Sequence, residues 1–259
     1  MVRTARDWDW QALREFYEGE YLDRYSLHPE HCDDKFAKLL PVLRRIDPRE
    51  VRRVGEVGCG TALLLRKVMG FFGAGGIALD LSHRHLREAR RENAPSGPGM
   101  QFVTADAAAL PLPGNSLDVL ILADILEHLP DPVGALGEAR RVARHVLLFQ
   151  QVYGPLSQLA WAYLLRRQGL TLFDVNGHLR NYGLRRLARD IRAAGLRVAG
   201  LALHDEPTEV CMGGAPPRDH PGKRAARALV AGLDRATARC LPLHARLFHV
   251  QASCLLVPR

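Results

Sequence analysis

The stretch Val57-Gly58-Cys59-Gly60-Thr61 constrains this chain most, because of what stands on either side of it. Val51-Arg52-Arg53-Val54-Gly55-Glu56 leads in and reads as a buried strand ending in glycines. Ala62-Leu63-Leu64-Leu65 leads out at helical spacing. A glycine-rich turn between strand and helix lets the backbone approach a ligand closely and aims the helix N-terminus at it. A second landmark lies about twenty residues on, where Ile77-Ala78-Leu79 runs into Asp80. An acid at the end of the next strand is placed to accept a hydrogen bond from a nucleotide ribose. The two landmarks together describe a seat for a nucleotide-like ligand.

The alternation continues downstream. Strands are expected at about 52–57, 76–80, 100–104, 117–122 and 145–150, with helices at about 61–71, 83–93 and 132–144 between them. Ser82 is placed to cap the second of these helices. Such spacing calls for a parallel sheet with right-handed crossovers. The run Leu117 to Leu122 fits a central strand covered on both faces. Residues 152–182 break the rhythm with an amphipathic helix followed by a polar stretch, Phe173 to Tyr182, where a substrate pocket or lid is expected. A helix at about 183–194, closed by Gly195, precedes a strand at about 196–204; a helix at about 222–239 and a strand at 246–256 complete the chain. Upstream, residues 8–27 carry aromatic and apolar residues at helical spacing, with Tyr17, Tyr21, Arg24 and Tyr25 as candidate ligand contacts. Pro29 is expected to break that helix before another at about 33–45.

Composition excludes some classes. No apolar run in the 259 residues approaches the roughly 18 of a membrane span, and the start Met1 to Trp8 lacks a signal-peptide core, so a cytoplasmic address is expected. Five scattered cysteines without a C-x-x-C pair argue against a disulfide framework and a structural zinc site. His28, His31 and Cys32 lie close in sequence, yet no second cluster matches them, so no metal is expected. The net charge of +8 comes almost wholly from arginines spread among alanines, with lysine only at 35, 38, 67 and 223. Solvated helix faces account for most of it, an anionic partner being the lesser reading.

Two ligand classes use a glycine turn plus an acid on the next strand. A dinucleotide site has a third glycine where Leu63 stands here, and Glu56 would repel a pyrophosphate while suiting a ligand with a positive end. The stretch Glu56-Val57-Gly58-Cys59-Gly60-Thr61 resembles the E-x-G-C-G-T motif of class I S-adenosylmethionine-dependent methyltransferases, with Ala62 where many members carry another glycine. Asp80-Leu81-Ser82, Ala105-Asp106-Ala107, Leu110 to Asp118 and Leu126-Glu127-His128-Leu129-Pro130-Asp131-Pro132 are similar to further motifs of its small-molecule, type 11-like branch. His178 to Tyr182, followed by a helix and Ala194-Gly195-Leu196, extends the likeness, which covers about residues 40–204.

The resemblance implies a Rossmann-like, doubly wound α/β sheet of seven strands, mostly parallel with an antiparallel last strand, plus N-terminal helices and a helical insertion after strand five. It divides the chain into an N-terminal helical lid, 1–48, and a methyltransferase domain, 49–259, with 152–182 as the substrate-side insertion. It implies S-adenosylmethionine as cofactor. Asp80 would accept both ribose hydroxyls, Asp106 the adenine amino group, and Ala107 would offer its N–H to the ring. Gly58, Cys59 and Gly60 would meet the methionine moiety, Glu56 its ammonium; Leu81 would pack on the adenine and the Ala123 backbone would face the methionine end. Asp124 and His178 are candidates for an acceptor-side base, and Tyr182 for a substrate contact, whereas His128 reads mostly as structural. A small organic acceptor is favoured. RNA or protein as acceptor, and a non-catalytic partner protein that keeps the fold, are the alternatives; no feature specifies an oligomeric state.

Overall fold

The structure, a computed structural model, describes residues 15–19, 29–93, 99–169, 177–205 and 249–259. Seven strands, β1 (Arg53–Val57), β2 (Gly75–Asp80), β3 (Met100–Thr104), β4 (Leu117–Ala123), β5 (Ala143–Tyr153), β6 (Leu196–Asp205) and β7 (His249–Pro258), form one sheet in the order β3-β2-β1-β4-β5-β7-β6. The first five are parallel, and β7 runs antiparallel to both β5 and β6. The helices are α1 (Pro29–Leu43), α2 (Leu63–Phe72), α3 (His83–Asn93), α4 (Pro132–Val142), α5 (Pro155–Gln168) and α6 (Leu184–Ala193).

Successive strand residues point to opposite faces, and here both faces are covered. On β4, Val119 and Ile121 join one core with Leu39 and Leu43 of α1, Leu65 and Val68 of α2, and Ala89 of α3. Leu120 and Leu122 join the other, with Leu136 and Ala139 of α4 and Leu187 and Ile191 of α6. That double burial is why β4 reads as an unbroken apolar run.

The differences from expectation have local causes. Pro29 opens α1 instead of only ending what precedes it, since proline at a first helical position removes an N–H that has no partner there. β5 runs on to Tyr153 because its antiparallel ladder with β7 continues to Tyr153 opposite His249, beyond the end of its pairing with β4 at Phe149. Ser82 does cap α3, its hydroxyl accepting from the His85 N–H at 3.2 Å. Most of the expected helix at 8–27, of which residues 15–18 are helical, and all of that at 222–239 lie outside the described residues.

Asp118, the one acid inside β4, ties the sheet at its amino edge: Oδ2 accepts from the Arg52 and Arg53 N–H groups at 2.8 and 3.0 Å. Asp118→Ala leaves both donors at the entrance to β1 to solvent and is expected to lower stability by about 1–2 kcal/mol. The change should appear in the midpoint of urea unfolding with the slope unaltered.

Candidate cofactor and acceptor site

Strand register places the site. Val57 lies opposite Leu79 on one side and Leu122 on the other; Asp80 lies opposite Thr104, and Ala123 opposite Phe149. The residues that follow β1 and β3, and those that end β2 and β4, therefore meet at the carboxyl edge of the sheet. The strand order turns back on itself between β1 and β4, which is where open α/β sheets bind ligands.

The glycine turn is built from left-handed backbone. Gly58 has φ +67° and Gly60 φ +49°, values that side chains rarely adopt. A Cβ on Gly58 would also lie 2.7 Å from the Ile125 Cδ1. Ala62 is left-handed too, at φ +58°, which explains the glycine many family members carry there; alanine in that conformation costs about 1 kcal/mol. The Cys59 N–H donates to the Leu79 carbonyl at 3.1 Å, locking the turn to β2. Cys59 itself is buried, so the side chain belongs to the core while the backbone around it faces the edge.

Glu56 unites two roles. It is buried, and its Oε2 accepts from the Leu65 N–H at 3.0 Å. Ala62 offers α2 no side-chain cap, so Glu56 satisfies one of the free N–H groups of that helix. Burial pushes its carboxyl up to about 8, against the opposing pull of the Leu65 N–H and the Lys35 charge. An ammonium beside it would stabilise the ionised form.

Asp80 is more heavily committed than its sequence position suggests. Oδ2 accepts from the Gly60 N–H at 3.0 Å; Oδ1 accepts from the Ser82 N–H at 2.9 Å and lies 3.2 Å from the His85 Nδ1. A carboxylate has about four acceptor positions, so one remains, on Oδ2. The two-hydroxyl ribose contact expected from the resemblance therefore needs His85 or the Gly60 N–H to give way. Asp106 is half-buried: Oδ1 accepts from the Ala108 N–H at 2.7 Å, and desolvation raises its carboxyl above the ordinary value. Ala107 is buried beside it, and Leu81 is half-exposed. The glycine turn, a carboxylate with an open acceptor position and a buried acid suited to an ammonium fit S-adenosylmethionine.

A second group of residues follows β4. Asp124 has φ +48°, its N–H donating to the Phe149 carbonyl at 2.9 Å and its Oδ2 pairing with the Lys35 Nζ at 2.8 Å. Burial alone would lower Lys35, but the Asp124 charge wins and holds its ammonium above the usual range. Asp124 Oδ1 is buried without a hydrogen bond among the described residues. The His128 and His178 rings stand edge to face, 4.8 Å apart, and the Tyr17 ring is 6.1 Å from His128. His128 Nδ1 lies 3.0 Å from the Gly177 carbonyl, which makes it the protonated nitrogen. Burial lowers His128 to about 4; burial and the neighbouring His128 lower His178 to about 3. Both rings are neutral at pH 7.

Of the other expected contacts, Tyr21, Arg24 and Tyr25 lie outside the described residues. Tyr182 is fully buried, and its hydroxyl donates to Asp190 at 3.3 Å within the core beside α6. His128, read as mostly structural, stands edge to face against His178 and bonds the Gly177 carbonyl. Lys35 and Gln150 lay in no motif, and Glu127 stood in the Leu126 to Pro132 motif without a site role of its own. One signal did exist: lysine is scarce here, and Lys35, Lys38 and Lys67 all make ion pairs with acids on α1 or, for Lys35, with Asp124. No metal site was expected, and His28 lies outside the described residues. Yet single ligand atoms of Glu127, His128 and His178 lie within 4.8 Å of one another.

Residues 55–146 match the family described as the methyltransferase domain. Over that segment the chain resembles class I S-adenosylmethionine-dependent methyltransferases, and its fold is that of solved methyltransferases. Among individual proteins, it is 30% identical over 159 residues to a ubiquinone biosynthesis O-methyltransferase of Methylococcus capsulatus, covering 58% of this chain and 65% of that one. It is 30% identical over 101 residues to the corresponding enzyme of Parvibaculum lavamentivorans, 39% of this chain and 40% of that one. The chain thus spans less than two thirds of either relative. The solved magnesium protoporphyrin IX methyltransferase of Synechocystis, with S-adenosylhomocysteine bound, superposes with a TM-score of 0.60 at 16% identity, over 97% of this chain and 100% of that one. No helix among the described residues is long and apolar enough to cross a membrane.

Proposed function

We propose that the protein transfers a methyl group from S-adenosylmethionine to a small organic acceptor by in-line displacement. The observation that carries this is the convergence of Gly58, Gly60, Glu56, Asp80 and Asp106 at the switch between β1 and β4. The bound sulfonium supplies the activated methyl. The residues of the chain bind and orient: Gly58, Cys59, Gly60 and the Ala123 backbone at the methionine end, Glu56 at its ammonium, Asp80 at a ribose hydroxyl. Leu81, Asp106 and the Ala107 N–H serve the adenine. Placement of the acceptor against the methyl provides most of the acceleration in such a displacement.

The acceptor lies beside Asp124 and His178. Asp124 is anchored by Lys35, and His178 is held neutral, so each can take a hydrogen bond from an acceptor hydroxyl. Residues 1–48 include the lid; around 15–19 a Phe16 edge approaches Gly177 and Tyr17 stands against His128, which supports closure over this side. A small acceptor is favoured because both relatives are named for the biosynthesis of a small molecule. Incubating the protein with labelled donor and cell-extract metabolites, with an RNA fraction alongside, tests the proposal. Label in a small metabolite is the expected result; label confined to RNA or protein, or in nothing, overturns it.

Glu56 gives the cofactor site a pH signature. At neutral pH its carboxyl, raised to about 8, is largely protonated, and binding an ammonium favours the ionised form. Binding therefore releases a proton below pH 8. Affinity for S-adenosylhomocysteine is expected to rise between pH 6 and 7.5, by up to about tenfold per pH unit. Calorimetry should show that slope in the native protein and a flat profile in Glu56→Gln, which keeps an acceptor for the Leu65 N–H.

A further inference from the structure

Residues 15–18 form one helical turn, closed where the Gly19 N–H donates to the Glu15 carbonyl at 3.1 Å, and its side chains reach opposite sides of the ligand site. Glu18 Oε1 accepts from the His83 N–H at 2.6 Å and Oε2 from the Arg84 N–H at 3.2 Å, at the start of α3 just beyond Asp80. Phe16 is buried on the other side: a Cβ on Gly177 would lie 3.3 Å from its Cε1 and 3.8 Å from the His128 Nδ1. β1 lies between β2, which ends at Asp80, and β4, which leads to His128. A segment that touches both sides crosses the end of β1, where the glycine turn stands. We propose that residues 15–19 are a strap across the cofactor site, latched by Glu18, whose release gates entry of S-adenosylmethionine and exit of S-adenosylhomocysteine. The inference rests on the cofactor reading above.

Each anchor answers a local need. The first N–H groups of a helix have no partner within it, and its positive end favours an acid. In α3 the Ser82 hydroxyl takes the His85 N–H, and Glu18 takes the two before it. The receiving side is itself fixed: the His83 Nδ1 lies 2.9 Å from the Thr104 hydroxyl at the end of β3, and the Ser82 N–H donates to Asp80. The Arg84 guanidinium reaches back to the Gly19 carbonyl at 3.5 Å. At the far anchor the Phe16 and Tyr17 rings stand edge to face, 5.2 Å apart, and the Tyr17 ring meets that of His128 at 6.1 Å. Gly177, with φ +69° and no side chain, makes room there for the Phe16 edge.

The two anchors differ in kind, which makes the strap a gate and not a fixed wall. Phe16 holds by burial of an aromatic ring. Glu18 holds by hydrogen bonds at the surface, where a carboxylate and two backbone N–H groups exchange each other for water at small net cost. Segments held this way open on the microsecond-to-millisecond timescale that limits turnover in many enzymes. The latch joins parts of the chain to one another, and neither His83 nor Arg84 has a cofactor contact in the reading above. Its loss therefore lowers the barrier to passage in both directions and changes affinity little. A direct cofactor contact would show itself mainly in the release rate.

The test measures association and dissociation of labelled S-adenosylhomocysteine on the full chain, with an unlabelled chase for release. Glu18→Ala should speed both by at least about fivefold and leave Kd within about twofold, as the loss of a gate requires. Phe16→Ala, which frees the other end, should give the same signature. Glu18→Gln, which keeps one acceptor oxygen, should fall between Glu18→Ala and the native protein. Circular dichroism confirms that each variant is folded, and hydrogen exchange should show the His83 and Arg84 amides less protected in Glu18→Ala. Unchanged rates in folded Glu18→Ala, or faster release with entry unaltered, overturn the proposal. So does a change in Glu18→Ala with none in folded Phe16→Ala, since the strap would then lack its second anchor. If the native protein does not bind S-adenosylhomocysteine at all, the cofactor reading itself fails and the gate with it.

Discussion

Asp80→Ala should weaken S-adenosylmethionine binding by at least about a hundredfold. A charge-assisted hydrogen bond is worth about 1.5–3 kcal/mol, or roughly 10- to 150-fold in affinity, and the open position on Oδ2 provides one. The remainder comes from the turn. Asp80 holds the Gly60 N–H at 3.0 Å and the Ser82 N–H at 2.9 Å, and its loss frees the glycine turn from β2 at its ligand-facing end. The same two donors are left buried and unpaired, so the melting temperature should fall as well. Asp80→Asn separates the effects, since an amide oxygen keeps one acceptor and nearly the same volume without the charge. Calorimetry on both should give intermediate affinity for the asparagine variant and little or none for the alanine one. If Asp80→Ala binds like the native protein, the ribose role of Asp80 is wrong.

Phe149→Ala is expected to remove about 3–5 kcal/mol of stability, the usual loss for an aromatic cut out of a packed interior. Phe149 is fully buried in β5, between β4 and β7, among Leu39, Ile121 and Leu255. Typical domains are stable by about 5–15 kcal/mol, so this single change consumes a large share. It also reaches the site. The Lys35 ammonium lies 5.9 Å from the Phe149 ring centroid and the Phe149 carbonyl accepts the Asp124 N–H. Guanidinium unfolding should show the lower midpoint, and methyl transfer under conditions where the variant is still folded should fall too. A loss under about 1 kcal/mol would mean the core refills the space.

Cofactor-side features were legible in the sequence because they rest on local backbone needs. Left-handed turns demand glycine, a strand end fixes Asp80, and a doubly covered strand must read as Leu117 to Leu122 does. The capping of α2 by Glu56 was not legible, since spacing cannot tell which N–H a buried acid will meet. The acceptor side was less legible for a different reason. Lys35, Gln150 and His178 come together through long-range packing with Asp124 and Glu127, with no fixed interval to reveal it. Tyr182 was misplaced because a polar neighbourhood in sequence, Arg180 and Asn181, hid a side chain that turns inward to Asp190.

The antiparallel strand between β5 and β6 has a consequence for how the protein is made. Among the described strands β6 pairs only with β7, and residues 206–248 separate the two in sequence. During synthesis the parallel part from β3 to β5 can assemble first, while β6 and one edge of β5 wait with open N–H and C=O groups for residues 249–258. Until those ten residues emerge, the nascent chain has two adhesive edges at one end of its sheet, and chaperone demand should peak in that interval.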